Sequence, residues 1–156
     1  MPGYALSVEQ HQALKKTLVQ LSKDMEAKGL ILSDYGGNIL VEVLPEGNQD
    51  GETLAALAVG SFVATRELAK LVGEKEFRWV FHMGHKTSIY IQCVAAHYLL
   101  FAILGNRITQ GLAKLYVEKA SAHIGRILQD TQEPFPASLS SNRVVKTEGD
   151  VLKPAR

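Results

Sequence analysis

From Thr53 to Thr65 the chain reads Thr-Leu-Ala-Ala-Leu-Ala-Val-Gly-Ser-Phe-Val-Ala-Thr and carries no charge. The pattern around it predicts a helix over residues 52–72, ended by Gly73. A surface helix keeps a polar face toward water, whereas one that is apolar nearly all round is covered on both flanks. It is shorter than the ~20 apolar residues that a bilayer span needs, so protein has to supply the cover. Ala55, Ala56, Ala58, Gly60, Ser61 and Ala64 are small and let another backbone come close. A chain of 156 residues makes one ordinary domain and has few elements with which to wrap a helix on every side. The expectation is a helix held between its own sheet and a partner.

The remaining elements follow from periodicity. Ser7-Val8-Glu9-Gln10 is a capping box, and Leu14, Leu18, Leu21 and Met25 recur at helical spacing. This predicts a first helix over residues 8–28, stopped by Gly29. Leu30 to Ser33 and Ile39 to Leu44 flank Asp34-Tyr35-Gly36-Gly37-Asn38, whose residues tolerate positive φ, so this stretch reads as a β-hairpin. Residues 77–82 are aromatic and β-branched and read as a strand. Residues 87–94 alternate, with Ile89, Ile91 and Cys93 on one face and Ser88, Tyr90 and Gln92 on the other. Residues 98–104 form a further strand, and residues 112–129 a last helix. Thr87 to Asn106 is free of Asp, Glu, Lys and Arg, but Gln92, His97 and the period of two make it strands rather than a membrane span. The order is αββαβββα, and short hairpin connections make the sheet mainly antiparallel, so the class is α+β. Residues 1–130 are expected to form the domain. Residues 131–156, with Pro134, Pro136 and three serines, read as a flexible polar tail.

The chemistry of the chain is sparse. Its 17 Lys+Arg nearly balance 16 Asp+Glu, which argues against a nucleic-acid binder with a basic footprint. The single cysteine, Cys93, rules out an internal disulfide framework and any cysteine-rich zinc site, and its alternating strand makes it a buried, inert thiol. The opening Met1-Pro2-Gly3-Tyr4 lacks the basic and apolar regions of a secretory signal, so a reduced, cytoplasmic protein is expected. No GxxxxGK[ST] motif is present. His82-Met83-Gly84-His85 has a metal-like spacing, which His97 could join only through the fold, but solvent-facing turn histidines are the better reading. Glu67, Glu74, Lys75 and Glu76 read as a solvated helix end, and Arg66 and Arg78 as polar rims. Neither a cofactor nor a metal nor an active site is expected, and that points to a binding role.

Several segments in order bear a family resemblance. Leu30 to Leu40 resembles the opening hairpin of the Roadblock/dynein light chain family, and Leu54 to Glu74 its small-residue second helix. His82-Met83-Gly84-His85-Lys86 followed by Ile89-Tyr90-Ile91 resembles its turn between the third and fourth strands, and Gly111 to Leu115 the start of its last helix. The likeness covers about residues 8–128 and is greatest to the bacterial gliding-motility branch. It implies a five-stranded antiparallel sheet flanked by helices, and a homodimer in which third strands pair and second helices lie side by side. Carried over, Leu54, Leu57, Ala58, Ser61, Phe77, Trp79 and Phe81 would form the dimer interface. The resemblance further implies binding of a small Ras-like GTPase through Val59, Val63, Arg66, Glu67 and Lys70, with its hydrolysis stimulated and no arginine finger inserted. Ala95-Ala96-His97 and Leu104-Gly105-Asn106-Arg107 depart from the family's pattern. They motivate the alternative of a non-activating scaffold subunit in a signalling or motor complex. No nucleic acid and no membrane insertion are expected.

Overall fold

The structure, a computed structural model, describes residues 6–45 and 50–132, with side chains through Gln129. Helix α1 spans Val8–Met25. Its capping box forms: the Ser7 hydroxyl accepts the Gln10 backbone N–H at 3.0 Å, and the Gln10 side chain accepts the Ser7 N–H at 2.9 Å. The helix ends three residues before the expected stop. Glu26 takes a left-handed conformation at φ 51° and donates its N–H to the carbonyls of Ser22 and Lys23. Gly29 lies instead within a strand, where a Cβ would stand 2.8 Å from Leu44 Cδ2.

Strands β1 (Ala27–Asp34) and β2 (Ile39–Val43) form the expected hairpin. Asp34 Oδ1 accepts the backbone N–H groups of Gly36 and Asn38, both at 2.9 Å, while Gly37 takes the positive φ the turn requires. Helix α2 spans Gly51–Leu71 and is capped by Asp50. Strand β3 is Trp79–Met83, so Phe77 and Arg78 precede it rather than open it. Strands β4 (Thr87–Val94) and β5 (Tyr98–Gly105) follow, then helix α3 (Gln110–Gln132), longer at both ends than expected. Thr131 and Gln132, expected to open the tail, therefore close this helix. Residues 133–156, and the tail expected there, lie outside the described residues.

The five strands are antiparallel and ordered β2-β1-β5-β4-β3. The class is α+β, as expected. Period-two alternation divides the core between two faces. Leu30, Leu32, Tyr90, Leu100 and Ala102 point to one face, where they meet Leu14, Leu18 and Leu21 of α1 and Ala113, Val117 and Ile124 of α3. Ile31, Ile91, Leu99 and Phe101 point to the other, which α2 covers with Ala55, Ala58, Val59 and Phe62. Each large apolar side chain buried in this way contributes about 1.5–3 kcal/mol. Among the described residues no helix is long and apolar enough to cross a membrane.

Candidate interaction surface

Helix α2 is fixed at its start by Asp50, whose carboxylate accepts the Thr53 N–H at 3.2 Å and the Thr53 hydroxyl at 2.6 Å. The Thr53 hydroxyl, then its N–H, hold the Asp50 carboxyl below the usual carboxylate range. Ala58 and Val59 turn into the chain's own sheet, with 5% and 9% of their surface exposed. Leu57, Val63, Leu68, Leu71 and Val72 face outward, and Leu71 is 84% exposed. Among the described residues, only one flank of this apolar helix is therefore covered.

Helical geometry separates the outward residues. At roughly 100° per residue, Leu54, Leu57, Ser61, Ala64 and Leu68 share one flank, and Val63, Arg66, Glu67 and Lys70 share the opposite one. The first set repeats at three and four residues and continues to Leu71, the spacing by which helices pack side by side. Leu54 and Ser61 are half-buried, and Leu57 is exposed. The second flank is polar. Glu67 and Lys70 pair at 3.0 Å, both well exposed, a contact of small energetic worth. The Arg66 guanidinium lies 5.2 Å from the Tyr35 ring centre, a cation–π arrangement.

Tyr35 also touches Phe62 through its ring, at 6.4 Å between centroids. Burial, followed by the neighbouring Cys93 thiol, pushes the Tyr35 hydroxyl well above its usual pKa, with Arg66 opposing. Cys93 is half-buried rather than buried as expected, because its strand position faces the cleft of about 340 Å³ that Tyr35, Arg66 and Phe77 line. Sequence reasoning missed this Tyr35–Arg66–Cys93 grouping, since three separate elements bring it together. It also passed over Leu68, Leu71 and Val72, although the three-four spacing from Leu54 onward carried the signal.

Strand β3 stands at the sheet edge and pairs with β4 alone among the described strands. Register puts Trp79 and Phe81 on the α3 side. There Trp79 lies 5.0 Å below the Lys114 ammonium, and Phe81 packs edge-on to Tyr90. Val80 and Ile89 lie on the α2 face and are only half-buried, so this margin of the sheet is thinly covered. His82 and His85 flank the β3–β4 turn, and His97 lies at the opposite end of β4, about 26 Å along the strand. All three are exposed, and among the described residues no cluster of three His, Cys, Asp or Glu side chains could hold a metal ion.

A five-stranded antiparallel sheet with two helices on one face and one on the other defines a Roadblock-fold protein. A Roadblock/LC7 domain from Streptomyces avermitilis shares this fold at a TM-score of 0.68 with 14% identity, over 74% of this chain and 97% of that one. Myxococcus xanthus MglB superposes with a TM-score of 0.77 at 32% identity, covering 85% of this chain and 99% of that chain. A structure described as MglB with tetrameric arrangement gives 0.76 at 25% identity, over 84% of this chain and 98% of that one. No protein-family model and no curated protein matches the sequence. The chain belongs to the MglB family of Roadblock-fold proteins.

Proposed function

We infer that this protein is a cytoplasmic homodimeric regulator, without an active site of its own, that binds a small Ras-like GTPase and stimulates its GTP hydrolysis. The observation that carries the reading is the uncovered apolar flank of α2 beside a sheet edge whose α2 face is thinly covered. A second copy fits both features at once. Its β3 would continue the sheet past Trp79 and Phe81, and its α2 would lie along Leu54, Leu57 and Ser61. Ser61 and Ala64 fall near the middle of the stripe, where two helices crossing on a two-fold axis come closest. Such an interface is isologous, and it would remove an edge strand that otherwise invites aggregation. Ala58 faces inward and takes no direct part. The tetrameric arrangement printed for a related MglB is in keeping with self-association.

The GTPase would meet the opposite flank of α2, where Val63, Arg66, Glu67 and Lys70 mix apolar and charged groups. Val59 is turned away from that surface and serves the core. Activation without an inserted arginine is population shift: the dimer binds the hydrolysis-competent form of the GTPase better than the other. A hundredfold acceleration by this route needs about 2.7 kcal/mol of differential binding.

The test is single-turnover GTP hydrolysis by the organism's small Ras-like GTPase, with and without this protein, next to a binding titration. Binding with at least tenfold faster turnover is expected. Binding without acceleration selects the non-activating scaffold, and absence of binding removes both readings. Sedimentation equilibrium measures the dimer separately.

A further inference from the structure

The face opposite α2 holds a feature that the proposed function does not use. Between α1 and α3 runs a groove of about 560 Å³. Ala13, Leu21, Tyr116 and Ala120 give it an apolar floor, and Lys16 and Lys119 stand exposed at its rim. Neither lysine forms an ion pair among the described residues. Asp24 marks the end of the groove farthest from the α1 N-terminus, with its carboxylate accepting a hydrogen bond from the Gln20 amide at 2.9 Å.

The two helices run antiparallel, since the Gln10 amide near the start of α1 donates to the Ile127 carbonyl late in α3 at 3.2 Å. Helix α3 thus delivers the chain at Gln132 to the α1 N-terminal end of the groove. From there the middle of the groove, at Ala120, is twelve residues back along α3, or about 18 Å. Residues 133–146 reach up to ~46 Å when extended, so the next segment reaches the groove with chain to spare. That segment, residues 147–153, reads Thr-Glu-Gly-Asp-Val-Leu-Lys. It carries two acids, then two apolar residues, then a base. Laid in the direction the chain arrives, its acids come first to the lysine rim, Val151 and Leu152 follow onto the floor, and Lys153 comes last, toward Asp24. The groove from Ala13 to Asp24 is about 16 Å long, matched by five or six extended residues.

We propose that residues 147–153 dock into the α1–α3 groove of their own chain, with Glu148 and Asp150 paired to Lys16 and Lys119 and with Val151 and Leu152 on the apolar floor. The docked segment covers a face remote from α2, and this inference stands or falls independently of any GTPase.

Zero-length carbodiimide coupling of the full chain tests it, read by mass spectrometry on an equal mixture of light and isotopically heavy protein. Expected are amide links from Lys16 or Lys119 to Glu148 or Asp150, all within a single isotope class. Coupling of Lys70 to Glu67, 3.0 Å apart, is the internal control. Hydrogen exchange supplies the second readout. Amides of residues 13–24 and 116–123 should exchange several-fold faster in the Glu148→Lys, Asp150→Lys variant. Protection should return when Lys16→Glu and Lys119→Glu are added. The control link forming without the groove links overturns the proposal, as does exchange that ignores the charge reversal. Links joining light to heavy chains would give the groove to a second copy and overturn it equally.

Discussion

The two faces of the sheet are built differently. On one, α1 and α3 together cover Leu30, Leu32, Tyr90, Leu100 and Leu104, and among the described residues the core there holds about twice as many buried side chains as the other. On the opposite face a single helix spans the sheet, and Val80, Ile89 and Ile103 are left half-buried at its margin. The doubly covered face has what a lone molecule needs for stability. The singly covered face has apolar residues to spare, on the helix and on the sheet beside it, at the place where the proposed reading puts a second copy. One face is rich in buried side chains and the other in exposed ones, although both are apolar in sequence.

The largest effect should come from Ala58→Arg. A guanidinium there would enter the cluster of Ile31, Ile91, Leu99 and Phe101 without a partner, at a cost of at least ~3 kcal/mol. The variant should unfold well below the parent in a thermal melt; an unchanged melting temperature would show that α2 does not rest on the sheet through this residue. Leu100 and Leu99, adjacent in β5, probe the two faces directly. Leu100→Ala, beneath two helices, should cost about 3–5 kcal/mol, and Leu99→Ala, beneath one helix that is free to shift toward the sheet, about 2–3 kcal/mol. Urea unfolding of both variants measures the difference, and equal costs would erase the contrast.

Gly60→Arg sharpens it further. A Cβ at Gly60 meets nothing within 4 Å among the described residues. The folded chain should therefore lose no stability, and the better helix propensity of arginine should add about 0.5–1 kcal/mol. Self-association, on the proposed reading, should weaken at least tenfold in sedimentation. Unaltered association would move the interface off this side of α2. The smallest effect lies in the β4–β5 turn, where Ala95 and Ala96 both hold positive φ, at 54° and 66°. Ala96→Gly relieves a left-handed alanine and should raise stability by about 0.5–1 kcal/mol in the same urea assay.

Much of this architecture could be read directly. Alternation from Thr87 to Val94 located β4 with its ends in place, and the capping box at Ser7 fixed the start of α1. The hairpin followed from Asp34, Gly37 and Asn38, whose side-chain and backbone preferences act within a few residues. The end of α1 could not be read the same way. Glycine is the usual left-handed stop, and here Glu26 takes that conformation so that β1 can begin at once. Neither could the state of Cys93, whose alternating strand foretold burial while a cleft beside Tyr35 leaves it half open.

For α2, sequence determined that a helix with a charge-free, small-residue stretch from Thr53 to Thr65 forms, because helix propensity and capping are local. It also raised the expectation that such a helix is covered on more than one side, and the described residues cover one. Only the tertiary structure decided which residues look inward. Ala58 and Val59 face the sheet, while Leu57, Leu68 and Leu71 face solvent, because the angle at which α2 meets the sheet sets the boundary. The hydrophobic effect has no direction of its own; it fixes how much apolar surface must be hidden, and the packing of distant strands fixes where.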